Sequence, residues 1–273
     1  MLADYVINPY RGCQFGCLYC YSQENKNIKN DSFVNTVGVK INAPQILEKE
    51  LKYKRPARIL LGSTTECFQR IELKYRITEQ ILTILNKENI PYTILTKSAF
   101  ISEYLPLISA NKENKIYFTI NMASEEMVKI LERNSSSLQK RMKTIDKIIQ
   151  YKVPLRIHIG PFLPHVSSLE EIIALLPKEI KEIDVELYHP KMGNFPPILA
   201  AIEKKLGKSR SEACAQCYKN QAAYLYFAHC LKTKIKAAGR KNKITFFYIV
   251  PDFNRFYSPD IDYTQPLTIS KER

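Results

Sequence analysis

The sequence predicts an α/β fold in which parallel strands alternate with helices. Six short segments are apolar and rich in β-branched residues, and stretches with apolar residues at helical spacing lie between them. Parallel strands are buried on both faces, so they read as continuous apolar runs of this kind. Repeated βα units with right-handed crossovers form a barrel or an open sheet, and periodicity alone leaves both possibilities open.

The predicted elements follow one another in a regular order. Strands are predicted at 6–7, 58–63, 92–97, 115–120, 154–159 and 183–187. Helices are predicted at 43–53, 71–89, 101–110, 124–132, 136–150 and 168–176. The polar stretch between the first strand and the first helix, residues 22–43, is expected to form an irregular covering loop.

The alternation of strands and helices stops near residue 195. Beyond it the sequence predicts a helix at 197–206, a basic linker, a long helix at 211–238 and a strand at 245–250. We therefore expect a domain of repeated βα units at 1–195 and a C-terminal appendage at 196–273 that packs on it.

Composition limits the class of protein. The chain has 273 residues, 45% of them apolar, which suits a globular protein. It has no apolar run of about 18 residues, so no membrane span is expected. The N-terminus lacks the features of a secretory signal, and seven cysteines is an odd number for a disulfide framework. These observations predict a cytoplasmic location.

Positive charge is concentrated in the C-terminal part. The whole chain carries a net charge of +14, and residues 202–243 hold eleven Lys or Arg and two Glu. A basic segment of this kind is typical of a site for a polyanion such as nucleic acid. The alternative is a solvated helix face.

The most distinctive feature is the group Cys13, Cys17 and Cys20, spaced Cys-x3-Cys-x2-Cys. A [4Fe–4S] cube takes one cysteine per iron, so three cysteines leave one iron open. An open iron can chelate S-adenosylmethionine and pass it an electron, which yields a 5′-deoxyadenosyl radical. A zinc site or three structural thiols are the alternatives.

This spacing, with Tyr19 just before the last cysteine, resembles the radical S-adenosylmethionine superfamily. The resemblance implies a partial (β/α)6 barrel of parallel strands, with the cluster loop after the first strand and the active site at the C-terminal ends of the strands. It also implies a [4Fe–4S] cluster, S-adenosyl-L-methionine as cofactor, and a reductant protein such as flavodoxin or ferredoxin.

Within the superfamily, the sequence resembles the spore photoproduct lyase group in pieces from Asn8 to about Pro164. The matching segments are the cluster loop with Tyr19 and Tyr21, then 63–66, 96–97, 119–121, 131–141 and 160–164. All but the first and 131–141 lie at or near the ends of predicted strands. The group therefore predicts cofactor-binding residues at these strand ends.

The resemblance implies that Lys97 pairs with the methionine carboxylate, and that Glu132 or Asn121 holds ribose hydroxyls. The amino group of the cofactor would be received by Ser63, Thr64, Thr65 and Glu66. Tyr19, Thr119 and Arg141 complete the predicted cofactor site. A helix cap, a surface charge or a strand-end turn is the alternative for each residue.

Tyr19, Tyr21 and Cys67 are the candidate catalytic residues. The sequence departs from the lyases in two ways. Ser63 stands where the lyases have a cysteine that donates hydrogen, with Cys67 four residues later, and only twelve residues precede Cys13, where the lyases usually carry a further segment. We therefore expect a relative of the lyases rather than a lyase.

Three further cysteines lie in the basic C-terminal segment. Cys214, Cys217 and Cys230 suggest an auxiliary iron–sulfur or zinc site. On one continuous helix, however, Cys230 would lie about 20 Å along the axis from Cys217, too far for one metal. Buried small residues are the alternative. Tyr218, Tyr224, Tyr226 and Phe227 in the same segment either stack on bases or pack on the barrel.

These observations predict a radical S-adenosylmethionine enzyme that acts on a nucleic acid. One alternative is radical modification of a peptide or a small molecule. The other is a metal-binding protein that is not an enzyme.

Overall fold

The computed structural model describes residues 3–23, 30–190 and 194–253. They form two compact units, which we call the first and second unit. The first unit holds residues up to 118 together with 132–155, and the second holds 119–131 together with the residues from 156 onward.

Within the described residues, parallel strands form the framework of both units, and two further short strands pair antiparallel. The strands are β1 (Tyr5–Ile7), β2 (Tyr10–Arg11), β3 (Gly38–Val39), β4 (Ile59–Leu61), β5 (Tyr92–Thr96), β6 (Lys115–Thr119), β7 (Leu155–Phe162), β8 (Glu182–Leu187) and β9 (Thr245–Ile249). In the first unit, β1, β4, β5 and β6 lie side by side and run parallel. In the second unit, β7, β8 and β9 do the same.

The strand β9 lies within the segment 245–250 that the sequence predicted as a strand of the C-terminal appendage. It pairs in parallel with β8, Phe247 lying beside Asp184. It follows the six strands predicted from the βα alternation. The prediction of an α/β fold with parallel strands is confirmed.

Helices separate the strands along the chain. They are α1 (Asn30–Asn35), α2 (Ala43–Leu51), α3 (Glu72–Tyr75), α4 (Ile77–Lys87), α5 (Leu105–Ile108), α6 (Glu125–Leu131), α7 (Leu138–Gln150), α8 (Leu169–Leu175), α9 (Phe195–Leu206), α10 (Lys208–Gln216) and α11 (Gln221–Asn242). Short 3-10 turns lie at Tyr21–Gln23 and Ala99–Tyr104. Within the described ranges, no helix has the length and apolar character needed to cross a bilayer.

Three predicted elements differ from the structure. Residues 22–43 are not wholly irregular, because they include α1 and β3, and β3 pairs with β2. The helix predicted at 71–89 is two helices, since Arg76 between them adopts a left-handed conformation with φ +50°. The basic linker and long helix beyond Leu206 are instead α10 and α11, which the turn around Asn220 separates.

The start of α11 has a clear local cause. The Asn220 side chain accepts a hydrogen bond from the Ala223 amide at 2.9 Å, which caps the helix. Because a new helix begins here, Cys217 and Cys230 do not lie on one continuous helix. The distance argument made from the sequence therefore does not hold.

Candidate functional site

The cysteine loop follows β1 and is held by its glycines and by α1. Gly12 has φ +98°, and a Cβ atom there would lie 2.7 Å from the Phe33 carbonyl oxygen. The Cys13 amide donates to that same oxygen at 2.9 Å. Only glycine combines this backbone conformation with so close an approach, so Gly12 lets the loop turn tightly against α1.

The three cysteines of the loop are free thiols. Burial raises the pKa of Cys17 to about 12 against the opposing effect of Lys97, and burial also raises the pKa of Cys13 and Cys20. Thiols in this environment keep their protons until a metal supplies positive charge.

The donor set fits a [4Fe–4S] cluster. Its three members are all cysteines, and thiolate is the ligand that such clusters take. A [4Fe–4S] cube binds each thiolate to a different iron, so its ligands need not converge on one point. Three thiols on one glycine-containing loop therefore fit a cluster with one iron left open.

Four predicted residues of the first unit form one network beside Cys17. The Lys97 ammonium lies 2.7 Å from the Tyr19 hydroxyl oxygen and 3.8 Å from the Cys17 sulfur. The Tyr19 hydroxyl donates to Glu132. Arg141 binds the other oxygen of the same carboxylate. The structure thus brings together a tyrosine, a lysine, a glutamate and an arginine from four separate segments.

Glu132 is the centre of this network, and its side chain is fully buried. Burial alone would raise the pKa of the carboxyl group, but Arg141 and Lys97 outweigh burial and lower the pKa to about 2. Arg141 is held in turn by the Ser136 carbonyl at 2.9 Å and the Ser135 hydroxyl at 2.5 Å. Glu132 is therefore ionised and fixed in position.

The residues after β4 divide into two groups. Thr65 and Glu66 are buried, and both side chains form hydrogen bonds with other groups of the protein. The Thr65 hydroxyl donates to the Gly12 carbonyl at 2.5 Å. Glu66 accepts hydrogen bonds from the Thr96 hydroxyl at 2.6 Å and from the Lys97 amide at 3.1 Å. These two residues hold the cysteine loop and the end of β5 in place.

Ser63 and Thr64 are less buried, and Asn8 positions them. The Asn8 amide donates to the Ser63 hydroxyl at 3.2 Å and its oxygen accepts from the Thr64 amide at 3.0 Å. The Tyr21 hydroxyl donates to the Ser63 carbonyl at 2.8 Å. Asn8 was not among the predicted site residues, although it lies directly after the first strand, where site residues are expected.

The remaining predicted site residues are Cys67, Thr119 and Asn121. Cys67 is fully buried, and burial raises the pKa of its thiol far above the ordinary value. Thr119 and Asn121 belong to the second unit and are buried, and the Asn121 oxygen accepts from the Gly160 amide at 2.7 Å.

The C-terminal cysteines and aromatic residues also separate by burial. Cys214 is fully buried, whereas Cys217 and Cys230 are partly exposed. Tyr218 and Tyr224 are buried and pack against each other with ring centroids 5.8 Å apart. Tyr226 has 73% of its surface exposed. Two of the four aromatics therefore belong to the core of the second unit.

Comparison with known proteins gives the family of the chain. The sequence model of the family described as "Radical SAM superfamily" matches residues 7–176. An uncharacterized protein of Methanocaldococcus jannaschii is 30% identical over 173 residues, which is 63% of this chain and 65% of the relative. The spore photoproduct lyase of Bacillus subtilis is 24% identical over 222 residues, 77% of this chain and 62% of the lyase. The chain thus spans less than two thirds of the length of these relatives.

Two solved structures have the same fold. A spore photoproduct lyase mutant with bound AdoMet and dinucleoside spore photoproduct has a TM-score of 0.54 and 18% identity, covering 76% of this chain and 62% of that chain. Streptococcus suis SuiB bound to the precursor peptide SuiA has a TM-score of 0.58 and 11% identity, covering 91% of this chain and 48% of that chain. With the parallel strands, these likenesses confirm the predicted fold class.

Proposed function

Because the chain belongs to the radical S-adenosylmethionine superfamily, we propose that it is an enzyme that cleaves S-adenosylmethionine reductively at a [4Fe–4S] cluster. Cys13, Cys17 and Cys20 would hold this cluster. When bound, the cluster supplies an electron to the sulfonium, and the resulting 5′-deoxyadenosyl radical abstracts hydrogen from a substrate. A flavodoxin or ferredoxin would deliver the electron, which suits the predicted cytoplasmic location.

The observation that carries this proposal is the position of Lys97 beside Cys17, 3.8 Å from its sulfur. An ammonium group has three donors, and the Tyr19 oxygen and the Cys17 sulfur accept two of them. The third donor suits the methionine carboxylate of the cofactor, in a charge-assisted hydrogen bond. Glu132 and Arg141 would act on the cofactor indirectly, by fixing Tyr19 and Lys97.

Ser63 and Thr64 are the hydroxyl groups best placed to receive the amino group of the cofactor. Their partly exposed side chains follow β4, and Asn8 and Tyr21 hold the backbone there. Thr65 and Glu66 already bind the protein, so a supporting role suits them better. Asn121 remains a candidate for the ribose, and Thr119 remains a candidate cofactor-binding residue. Cys67 remains a candidate hydrogen donor that would need access to substrate.

Reductive cleavage tests the proposal directly. The protein is reconstituted without air, and methionine and 5′-deoxyadenosine are measured after addition of S-adenosylmethionine and dithionite. We expect about four irons per chain and cleavage that is lost in Cys17→Ala, whereas Cys214→Ala keeps both. Zinc in place of iron, or no cleavage by the iron-loaded protein, would support a metal-binding protein that is not an enzyme.

The substrate that we favour is a nucleic acid. One solved spore photoproduct lyase structure holds a dinucleoside spore photoproduct, and all eleven Lys and Arg residues in 202–243 of this chain are exposed. Phosphate contacts by these residues would make the affinity fall steeply with salt. The alternative is a peptide or a small molecule, since the same fold binds a precursor peptide in SuiB.

Fluorescence anisotropy separates these substrates. A labelled single-stranded oligonucleotide should bind at 50 mM salt and weaken by about a factor of 10³ at 200 mM, if six or more phosphates are contacted. An acidic peptide of equal net charge is the control. Equal binding of the peptide, or binding that does not change with salt, would favour the alternative.

A further inference from the structure

A cavity in the second unit contains thiol and imidazole groups that the proposed function does not use. It has a volume of about 410 Å³. Its walls include His165, Cys217, Lys219, Tyr226, Phe227 and Cys230. The turn between α10 and α11 forms the cavity, because it brings the end of one helix next to the side of the other.

Cys217 and His165 face each other in this cavity. The Cys217 sulfur lies 3.9 Å from the His165 Nε2 atom. A thiol beside an imidazole is the arrangement in which the imidazole takes the thiol proton, and such pairs are often looser before a ligand binds.

The backbone holds His165 in an unusual conformation. Its φ is +61°, a region that residues with a Cβ atom seldom adopt. Arg210 donates to the His165 carbonyl at 3.1 Å and so supports this conformation. The loop after β7 therefore presents the imidazole to Cys217 at some cost in backbone energy.

The surroundings of the pair are positively charged. Lys219, Arg210 and Lys234 are exposed. Burial, with Arg210 and Lys234, lowers the pKa of His165, and burial raises the pKa of Cys217. The resting pair is therefore a neutral thiol and a neutral imidazole, so the proton would move only as the sulfur attacks a ligand. A negatively charged ligand suits the rim of this cavity. Planar groups of such a ligand would pack on the rings of Tyr226 and Phe227.

We propose that Cys217 is a nucleophilic thiol that exchanges with small anionic disulfides, with His165 as its base. His165 Nε2 takes the proton of the thiol, and the Cys217 sulfur attacks one sulfur of the disulfide. A new Cys217–sulfur bond forms while the bond of the small disulfide breaks. The leaving thiolate receives the proton from His165. The small disulfide is the oxidant, and one of its halves leaves reduced.

Two other cysteines of the chain serve as controls for the reactivity of Cys217. Cys214 lies three residues before Cys217 and is fully buried, so it should not react. Cys230 lines the same cavity, but Cys217 is the cysteine in contact with His165. Reaction at Cys217 should therefore exceed reaction at the other two.

The test uses the cluster-loaded protein without air. It is incubated with glutathione disulfide, which is anionic, or cystamine, which is cationic, and modified cysteines are mapped by mass spectrometry. We expect one glutathionyl adduct, at Cys217, that is absent from Cys217→Ser and retained in Cys214→Ser. Glutathione disulfide should react faster than cystamine, because the rim is positive.

His165→Asn tests the base without removing the fold, since asparagine tolerates positive φ. At neutral pH the rate of adduct formation should fall by at least about tenfold. At alkaline pH, where the thiol ionises without help, the variant and the wild type should react alike. An adduct at Cys214 or Cys230 with Cys217 unmodified, or an unchanged rate in His165→Asn, would overturn the proposal. Because the assay reads adducts and not cleavage of S-adenosylmethionine, its result is independent of the proposed enzyme activity.

Discussion

The Lys97 ammonium lies 2.7 Å from the hydroxyl oxygen of Tyr19, although the two residues are 78 positions apart in the chain. Tyr19 in turn donates to Glu132, which Arg141 also binds. The cysteine loop, the end of β5 and the start of α7 therefore meet in one ionic network next to Cys17. Four predictions follow from this network and from the loop that it supports.

Lys97→Met should weaken cofactor binding but leave the cluster in place. The variant keeps an unbranched side chain and loses the ammonium. We expect the Kd of S-adenosylmethionine to rise by about ten- to a hundredfold, the effect of one hydrogen bond to a charged group. Equilibrium dialysis measures the Kd, and an iron assay checks the cluster. Lys87→Met, at the exposed end of α4, should bind the cofactor as the wild type does.

Glu132→Gln should destabilise the protein strongly. It leaves the Arg141 guanidinium buried without its carboxylate, which costs about 3–5 kcal/mol. Urea unfolding measures the loss. The matched control is Glu79→Gln, because Glu79 also binds an arginine, Arg76, but both side chains are substantially exposed. This control should lose at most about 1 kcal/mol. Equal losses in the two variants would show that Glu132 does not carry a buried charge.

The effect of Glu132→Gln should also depend on pH. The carboxyl group has a pKa of about 2 in the folded protein, below its ordinary value of 4.5. Between these values the unfolded chain binds more protons than the folded one, so the stability that Glu132 contributes is present above about pH 4.5 and is lost as the pH falls toward 2. The difference in unfolding free energy between wild type and variant should therefore shrink on acidification. A constant difference from pH 6 to 3 would contradict the low pKa.

Gly12→Ala should impair the cysteine loop. An added Cβ atom would lie 2.7 Å from the Phe33 carbonyl oxygen, and φ is +98°. We expect a loss of more than about 1 kcal/mol of stability and lower iron content after reconstitution.

The chain offers a close control for this change. Gly207 has φ +88° and no atom within 4 Å of an added Cβ atom. Gly207→Ala therefore adds a similar backbone strain without the clash, and should leave the iron content unchanged. If both variants lost iron equally, contact with Phe33 would not explain the role of Gly12.

The order of strands and helices was predictable because each element leaves a local pattern. The apolar run at 92–97 contains β5, the run at 183–187 lies within β8, and the stripe at 71–89 contains α3 and α4. The errors lie at positions where a single backbone angle or a helix cap determines where a helix ends or begins. Arg76 interrupts one predicted helix, and Asn220 begins a new helix within another. Hydrophobic periodicity does not report such positions, because the apolar pattern continues across them.

The sequence indicated which residues belong to the candidate site better than it indicated the role of each residue. The cysteine spacing and the polar residues at strand ends indicated which side chains to examine. The sequence did not predict the hydrogen-bond partners of these side chains. Glu66 accepts hydrogen bonds from the Thr96 hydroxyl and from a backbone amide, and Thr65 donates to the Gly12 carbonyl. A carboxylate or hydroxyl at a strand end has the same sequence pattern whether it faces a ligand or the protein.

The sequence by itself determined the trio of thiols, the alternation of strands and helices, and the family to which the chain belongs, because all three depend on residues close together in the chain. Only the tertiary structure decided that Glu132 is an ionised, buried partner of Arg141 and Tyr19, and that Cys217 lies beside His165. Tyr19 and Glu132 are 113 positions apart in the chain, and His165 and Cys217 are 52 positions apart. Packing alone creates these contacts, since no local pattern encodes which distant side chain will neutralise a charge or face a thiol.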